Sequence, residues 1–104
     1  MENYKVHKSL KFKKQKEDFP VRFKKHFNKL EEQLKINPYV NKPLGKRWFR
    51  ENKLKNYRIY YLIYEDLKAV YLVAIGKKKH QQKTINTIKF LFKEYREDIE
   101  KIIT

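Results

Sequence analysis

The spacing of apolar residues changes period three times along the chain, from a short strand to helices, then to strands and back to a helix. Tyr4 to Lys8 alternates apolar and polar positions, the period-two signature of a short strand. Ser9 follows as an N-cap, opening a basic helix through Leu10 and Phe12 to about Glu17. Asp18 and Pro20 mark a second helix start, since proline is tolerated in a first turn. Phe23, Phe27, Leu30 and Leu34 then recur at spacings that place them on one helical stripe, and Asn37-Pro38 ends it. The first third therefore predicts a helical hairpin with one side buried. In the middle, Lys46 to Asn52 predicts a strand around Trp48-Phe49. Tyr57 to Tyr64 (YRIYYLIY) is β-branched or aromatic almost throughout, as suits a central strand covered on both faces. Glu65 to Lys68 reads as a turn, Ala69 to Gly76 as the next antiparallel strand, and Lys77 to His80 as a basic loop off its end. Ile85, Ile88, Leu91, Phe92, Tyr95, Ile99 and Ile102 return to helical spacing. The order β-α-α-β-β-β-α predicts an α+β domain spanning 1–104. Its small antiparallel sheet, of three to four strands, carries an N-terminal helical hairpin and a C-terminal helix over about 84–103.

Charge adds a second layer to this pattern. The 104 residues hold 27 Lys and Arg against 12 Asp and Glu, a formal net charge of +15. Residues 84–104 contain four bases and four acids, so the whole excess lies before them. Residues 5–25 hold nine bases and two acids, and residues 42–58 hold seven bases against Glu51 alone. A surface charged only for solubility has no reason to spare one element, so the excess points to a polyanion partner, with nucleic acid ahead of membrane. An aromatic content of 15% argues against a disordered basic tail. No apolar run approaches the length of a membrane span or resembles a signal peptide, so a cytoplasmic protein without a membrane partner is expected.

Candidate chemistry is quickly narrowed. The absence of cysteine removes disulfides, thiolate metal sites and thiol catalysis. His7, His26 and His80 are far apart with no ligand spacing, two glycines cannot build a phosphate loop, and Ser9 is the only serine. Neither a metal nor a cofactor is expected. Bases remain. Arg50 and Lys53 lie in or beside the strand before the central one, Arg58 near the start of the central strand, and Lys78 in the loop after the last. Antiparallel pairing brings the start of one strand to the end of the next, so Arg58 falls close to Lys77–Lys79. Such a cluster binds phosphates, arginine through its fork and lysine as a point charge. It is also suited to an anionic transition state. Tyr60 and Tyr64 share the face of Arg58, where Tyr60 offers a stacking surface for bases and Tyr64 is the better fit to the core.

The strings Pro43-Leu44-Gly45-Lys46, Phe49-Arg50, Asn56 to Tyr64 and Val70 to Lys78 resemble the RelE/ParE toxin superfamily over most of residues 4–85. The resemblance implies a small basic toxin of a type II toxin–antitoxin system, neutralised by a cognate antitoxin protein. RelE-like members are metal-independent endoribonucleases that cut mRNA on the ribosome and inhibit translation. By motif, Arg58 corresponds to the arginine that supports the scissile phosphate, Lys78 to the base after Gly-Lys, and Arg50 and Lys53 to the region of the paired basic residues. These four form the expected catalytic set. Lys46, Arg47, Lys77, Lys79, His80 and Tyr60 are expected to contact RNA. The chain departs from the pattern in having no tyrosine between His80 and Ile85, so His80 or Lys79 would replace it as acid or base. The departure supports one alternative, a non-catalytic RNA- or ribosome-binding module; a ParE-like gyrase inhibitor comes third, disfavoured because the bases sit where the resemblance places those of the ribonucleolytic members.

Overall fold

A computed structural model describes residues 3–104, and its centre is the aromatic strand Tyr57–Tyr64. Chain order gives β1 (Lys5–Lys8), α1 (Leu10–Glu17), α2 (Val21–Ile36), β2 (Lys42–Pro43), β3 (Phe49–Leu54), β4 (Tyr57–Tyr64), β5 (Ala69–Lys77), α3 (Gln81–Phe90) and α4 (Phe92–Ile103). Single 3₁₀ turns occupy Pro38–Val40, Glu65–Leu67 and Lys78–His80. The five strands form one sheet in the order β1-β5-β4-β3-β2.

Three expectations need correction. The sheet has five strands rather than three or four, and it is mixed: β1 pairs parallel to β5, with Lys5 opposite Ala69 and Lys8 opposite Leu72. Four alternating residues announce a strand but carry no information about its partner. The strand around Trp48 begins only at Phe49 and runs to Leu54, because Gly45, at φ +82°, turns the chain just before it. The terminal helix breaks at Leu91, whose φ of −99° and ψ of 8° leave the α region. The apolar stripe continues across the break, so periodicity alone cannot reveal it. Both halves still bury their stripe, through Ile85 and Ile88 in α3 and Tyr95 and Ile99 in α4.

Alternation along β4 supplies two cores. Ile59, Tyr61 and Ile63 join Phe12, Phe27, Leu30 and Leu34 beneath α1 and α2. Tyr60, Leu62 and Tyr64 join Phe49, Ile88 and Ile99 beneath α3 and α4. Burying both faces is what makes YRIYYLIY apolar at every position but Arg58. Ser9 caps α1, accepting from the Phe12 amide at 3.1 Å while its hydroxyl donates to the Val73 carbonyl at 3.1 Å. At the border of the first core, Tyr61 donates its hydroxyl to the Pro38 carbonyl at 2.6 Å and accepts from Asn41 at 3.1 Å, fixing the 38–41 segment. Burial pushes the Tyr61 hydroxyl up to about 12. Among the described residues, no helix is long and apolar enough to cross a membrane.

Candidate RNA-binding cleft

Antiparallel register builds the site. β3 and β4 pair Lys53 with Arg58 and Glu51 with Tyr60, and β4 and β5 pair Arg58 with Gly76. The Lys78 amide donates to the Asn56 carbonyl at 2.7 Å, drawing the loop after β5 back to the β3–β4 hairpin. Lys53, Arg58 and Lys78 thereby line one cleft of about 490 Å³ with Val40, Asn41, Lys42, Glu51 and Gln81. Gly76 allows α3 to start close by, since a Cβ there would sit 3.2 Å from the Thr84 hydroxyl.

At the floor lies Glu51, only 5% exposed. Its two carboxylate oxygens accept from the Gln81 side-chain amide at 2.7 and 2.9 Å, and the Arg58 Nε stands 3.9 Å away. Arg58 is itself buried, and its Nη1 donates to the carbonyls of Lys55 (3.1 Å) and Tyr57 (2.8 Å). These bonds lock the guanidinium in place while leaving Nη2 for an anion. Lys42, Lys53, Arg58 and Lys78 outnumber the single carboxylate, so the cleft is cationic around one fixed acceptor. Neither Lys42, Glu51 nor Gln81 stands out in the sequence. Glu51 is visible there only as the lone acid among seven bases, and Gln81 enters the cleft only because α3 begins at that residue.

The other expected residues are dispersed. Arg50 lies on the opposite face of β3, where Nε donates to the Arg47 carbonyl at 2.9 Å and Nη1 to those of Tyr39 (2.8 Å) and Asn41 (2.6 Å). It pins the segment before β2 and stays out of the cleft, a one-position consequence of strand alternation. Arg47 stacks on the Tyr39 ring at 4.3 Å, away from the cleft, and Lys46 is exposed in the turn before β3. Lys77 and Lys79 flank the cleft with Asn56 and Tyr57 around an adjoining hollow, and His80 is exposed at the start of α3. Tyr60 offers no stacking face, since it is fully buried and the expectation of an exposed ring is corrected. Its hydroxyl has no hydrogen-bond partner, and burial, reinforced by Glu51 and opposed by Arg58, pushes it up to about 12. Among the described residues, no cluster of three or more His, Asp or Glu side chains is arranged to hold a metal ion.

The mixed sheet between two helical layers is similar in fold to solved RelE toxins. The free form of a doubly substituted E. coli RelE superposes with a TM-score of 0.71 at 17% identity, over 88% of this chain and 99% of that one. The toxin–antitoxin complexes RelBE of E. coli and RelBE2 of Mycobacterium tuberculosis give TM-scores of 0.64 and 0.63, each at 19% identity. They cover 71% and 72% of this chain and 95% and 98% of theirs. No curated protein sequence matches the chain. Residues 5–82 match the family described as the ParE toxin of the type II toxin–antitoxin system parDE, and the chain belongs to that family of toxins.

Proposed function

We propose that this toxin is a metal-independent endoribonuclease that cleaves mRNA on the ribosome and is held in check by a protein antitoxin. The observation that carries the reading is the cleft itself: three bases, Lys53, Arg58 and Lys78, gathered from three elements around one buried carboxylate. RNA supplies its own nucleophile, so a cleaving site needs a proton acceptor for the 2′-hydroxyl, cations for the phosphorane and a donor for the departing 5′-oxygen. Glu51 is the acceptor. Arg58 and Lys53 hold the non-bridging oxygens, and Lys78, at the rim, returns a proton to the 5′-oxygen. The 2′-oxygen bonds to phosphorus as the bond to the 5′-oxygen breaks, leaving a cyclic 2′,3′-phosphate and a free 5′-hydroxyl. Lys79 and His80, the sequence candidates for acid or base, lie outside the cleft lining, which leaves the donor role with Lys78. The antitoxin assignment draws on the toxin–antitoxin complexes among the structural relatives.

A second reading, inhibition of gyrase, is favoured by one observation, the match to the ParE rather than to a ribonuclease description. Mapping mRNA 5′ ends in a translating system with added protein separates the two. Cuts within the ribosomal A site that vanish in Arg58→Ala and Glu51→Gln support cleavage. Intact message accompanied by gyrase-dependent DNA breaks supports the second reading. Intact message without such breaks overturns both and leaves a binding module.

A further inference from the structure

One charged region of the chain has no part in the cleft. On α2, Arg22, Lys25 and Lys29 are spaced three and four residues apart, so they share one side of the helix. With His26, Asn28 and Glu32 they line an open groove of about 670 Å³. All three cations are exposed, and none of the ion pairs among the described residues involves them. Nearby cations behave differently, since Lys8 at the end of β1 and Lys16 on α1 both reach Glu31.

The groove and the cleft are joined by side chains. His26 Nε2 hydrogen-bonds the Asn52 side chain at 2.8 Å, and Asn52 donates to the Asn41 side-chain carbonyl at 2.9 Å. Asn41 lines the cleft, and a smaller hollow lined by His26, Lys29, Leu30, Gln33 and Asn52 lies between the two. The bridge crosses the sheet at an open border. β2 pairs only with Arg50 and Glu51, so among the described residues no strand neighbours the outer edge of β3 beyond Glu51. Along this route the acids are Glu51 at one end and Glu32 at the other, with neutral amides between.

We infer that the α2 groove is a second backbone-binding site for the same RNA strand, reached from the cleft over the open edge of β3. The inference rests on the reading of the cleft as an RNA site. A single strand is the fitting occupant because the path turns from one face of the sheet to the other. A flexible chain follows such a turn more easily than a duplex does, and phosphates alone need only cations and amide donors. The bridging amides are donors of that kind, and the groove supplies the charge.

Binding of non-cleavable 2′-O-methyl oligonucleotides to the full chain tests this, with one of about 4 nucleotides and one of about 16, across a salt series. For the triple variant Arg22→Gln, Lys25→Gln, Lys29→Gln, the long oligonucleotide is expected to bind roughly tenfold or more weakly. Its log–log salt slope should shrink by about 2, since each lost single-strand phosphate contact removes about 0.7. The short one should bind as to the parent. A control triple of equal charge, Lys89→Gln, Lys93→Gln, Lys101→Gln on α3 and α4, should leave both unchanged. Equal losses in the two triples, equal losses for the two lengths, or no loss for the long strand would each overturn the inference while leaving the cleft reading intact. Unchanged short-strand binding by Lys53→Gln, Lys78→Gln would instead remove the cleft reading, and this inference with it.

Discussion

The two ends of β4 both carry a hollow, an arginine and a buried tyrosine, yet they are built to opposite ends. Where β4 begins, Arg58 shares its cleft with Lys42, Lys53 and Lys78 and meets one carboxylate at 3.9 Å. Where it ends, a hollow of about 540 Å³ is lined mainly by Trp48, Leu62, Ile63, Tyr64 and Phe92. Its Arg96 is neutralised twice, by the Asp66 carboxylate at 2.7 Å and by Glu100 at 3.0 Å. The rings of Trp48 and Phe92 meet edge to face at 4.8 Å. One end gathers four cations around one carboxylate, whereas at the other Arg96 is matched by two acids and Arg47 rests on the Tyr39 ring. An uncompensated cluster on a buried platform is stabilised by what it binds, and a compensated pair by itself.

Arg58→Ala is expected to lower the rate constant of mRNA cleavage by about 10² or more, read from the time course of A-site cuts. Arg50 sharpens the contrast, being buried like Arg58 but bonded only to backbone carbonyls on the other face. Arg50→Ala should cost about 3 kcal/mol in urea denaturation, because it strands the carbonyls of Tyr39, Asn41 and Arg47, and should lower cleavage per folded molecule far less than Arg58→Ala, because its guanidinium lies outside the cleft.

The compensated end has its own pH signature. Glu65 accepts from Lys68 and from the hydroxyls of Tyr39 (2.6 Å) and Tyr4 (2.7 Å), which hold its carboxyl down to about 2. A folded pKa below the ordinary value means that this contribution to stability is present above pH 4.5 and is lost as pH falls toward 2. The stability gap between the parent and Glu65→Gln should therefore close over that window in denaturation at stepped pH. The smallest effect belongs to Arg96→Ala. Its network is solvent-exposed, so the loss should stay under about 1 kcal/mol and fade in high salt, and RNA cleavage should not change.

Much of the fold is legible because hydrophobic period and burial coincide. YRIYYLIY forms a strand over its full length, and the stripe of α2 is buried at Phe27, Leu30 and Leu34. The nearness of Arg58 to Lys78 is also legible, since it needs only an antiparallel meander. Arg50 shows where such reasoning stops. Charge and proximity in sequence group it with Lys53 and Arg58, and only the inward or outward sense of each β3 residue separates them. Glu51 and Gln81 are harder still, because their contact spans thirty residues and depends on where a helix begins. The break at Leu91 is invisible because each half keeps the same stripe.

The parallel pairing of β1 with β5 has a consequence for the order of assembly. Ser9 bonds to Val73, 64 residues further on, so the N-terminal strand and its two helices are made long before their place in the sheet exists. Closing so long a loop is slow compared with forming the β3–β4–β5 meander, whose turns are short. The cleft likewise needs residues from Lys42 to Gln81 at once. On a ribosome synthesising this chain, the sheet is incomplete until β5 has emerged, and the cleft until Gln81 has. The strand made first is thus the last to find its neighbour, a delay written into the topology of the sheet.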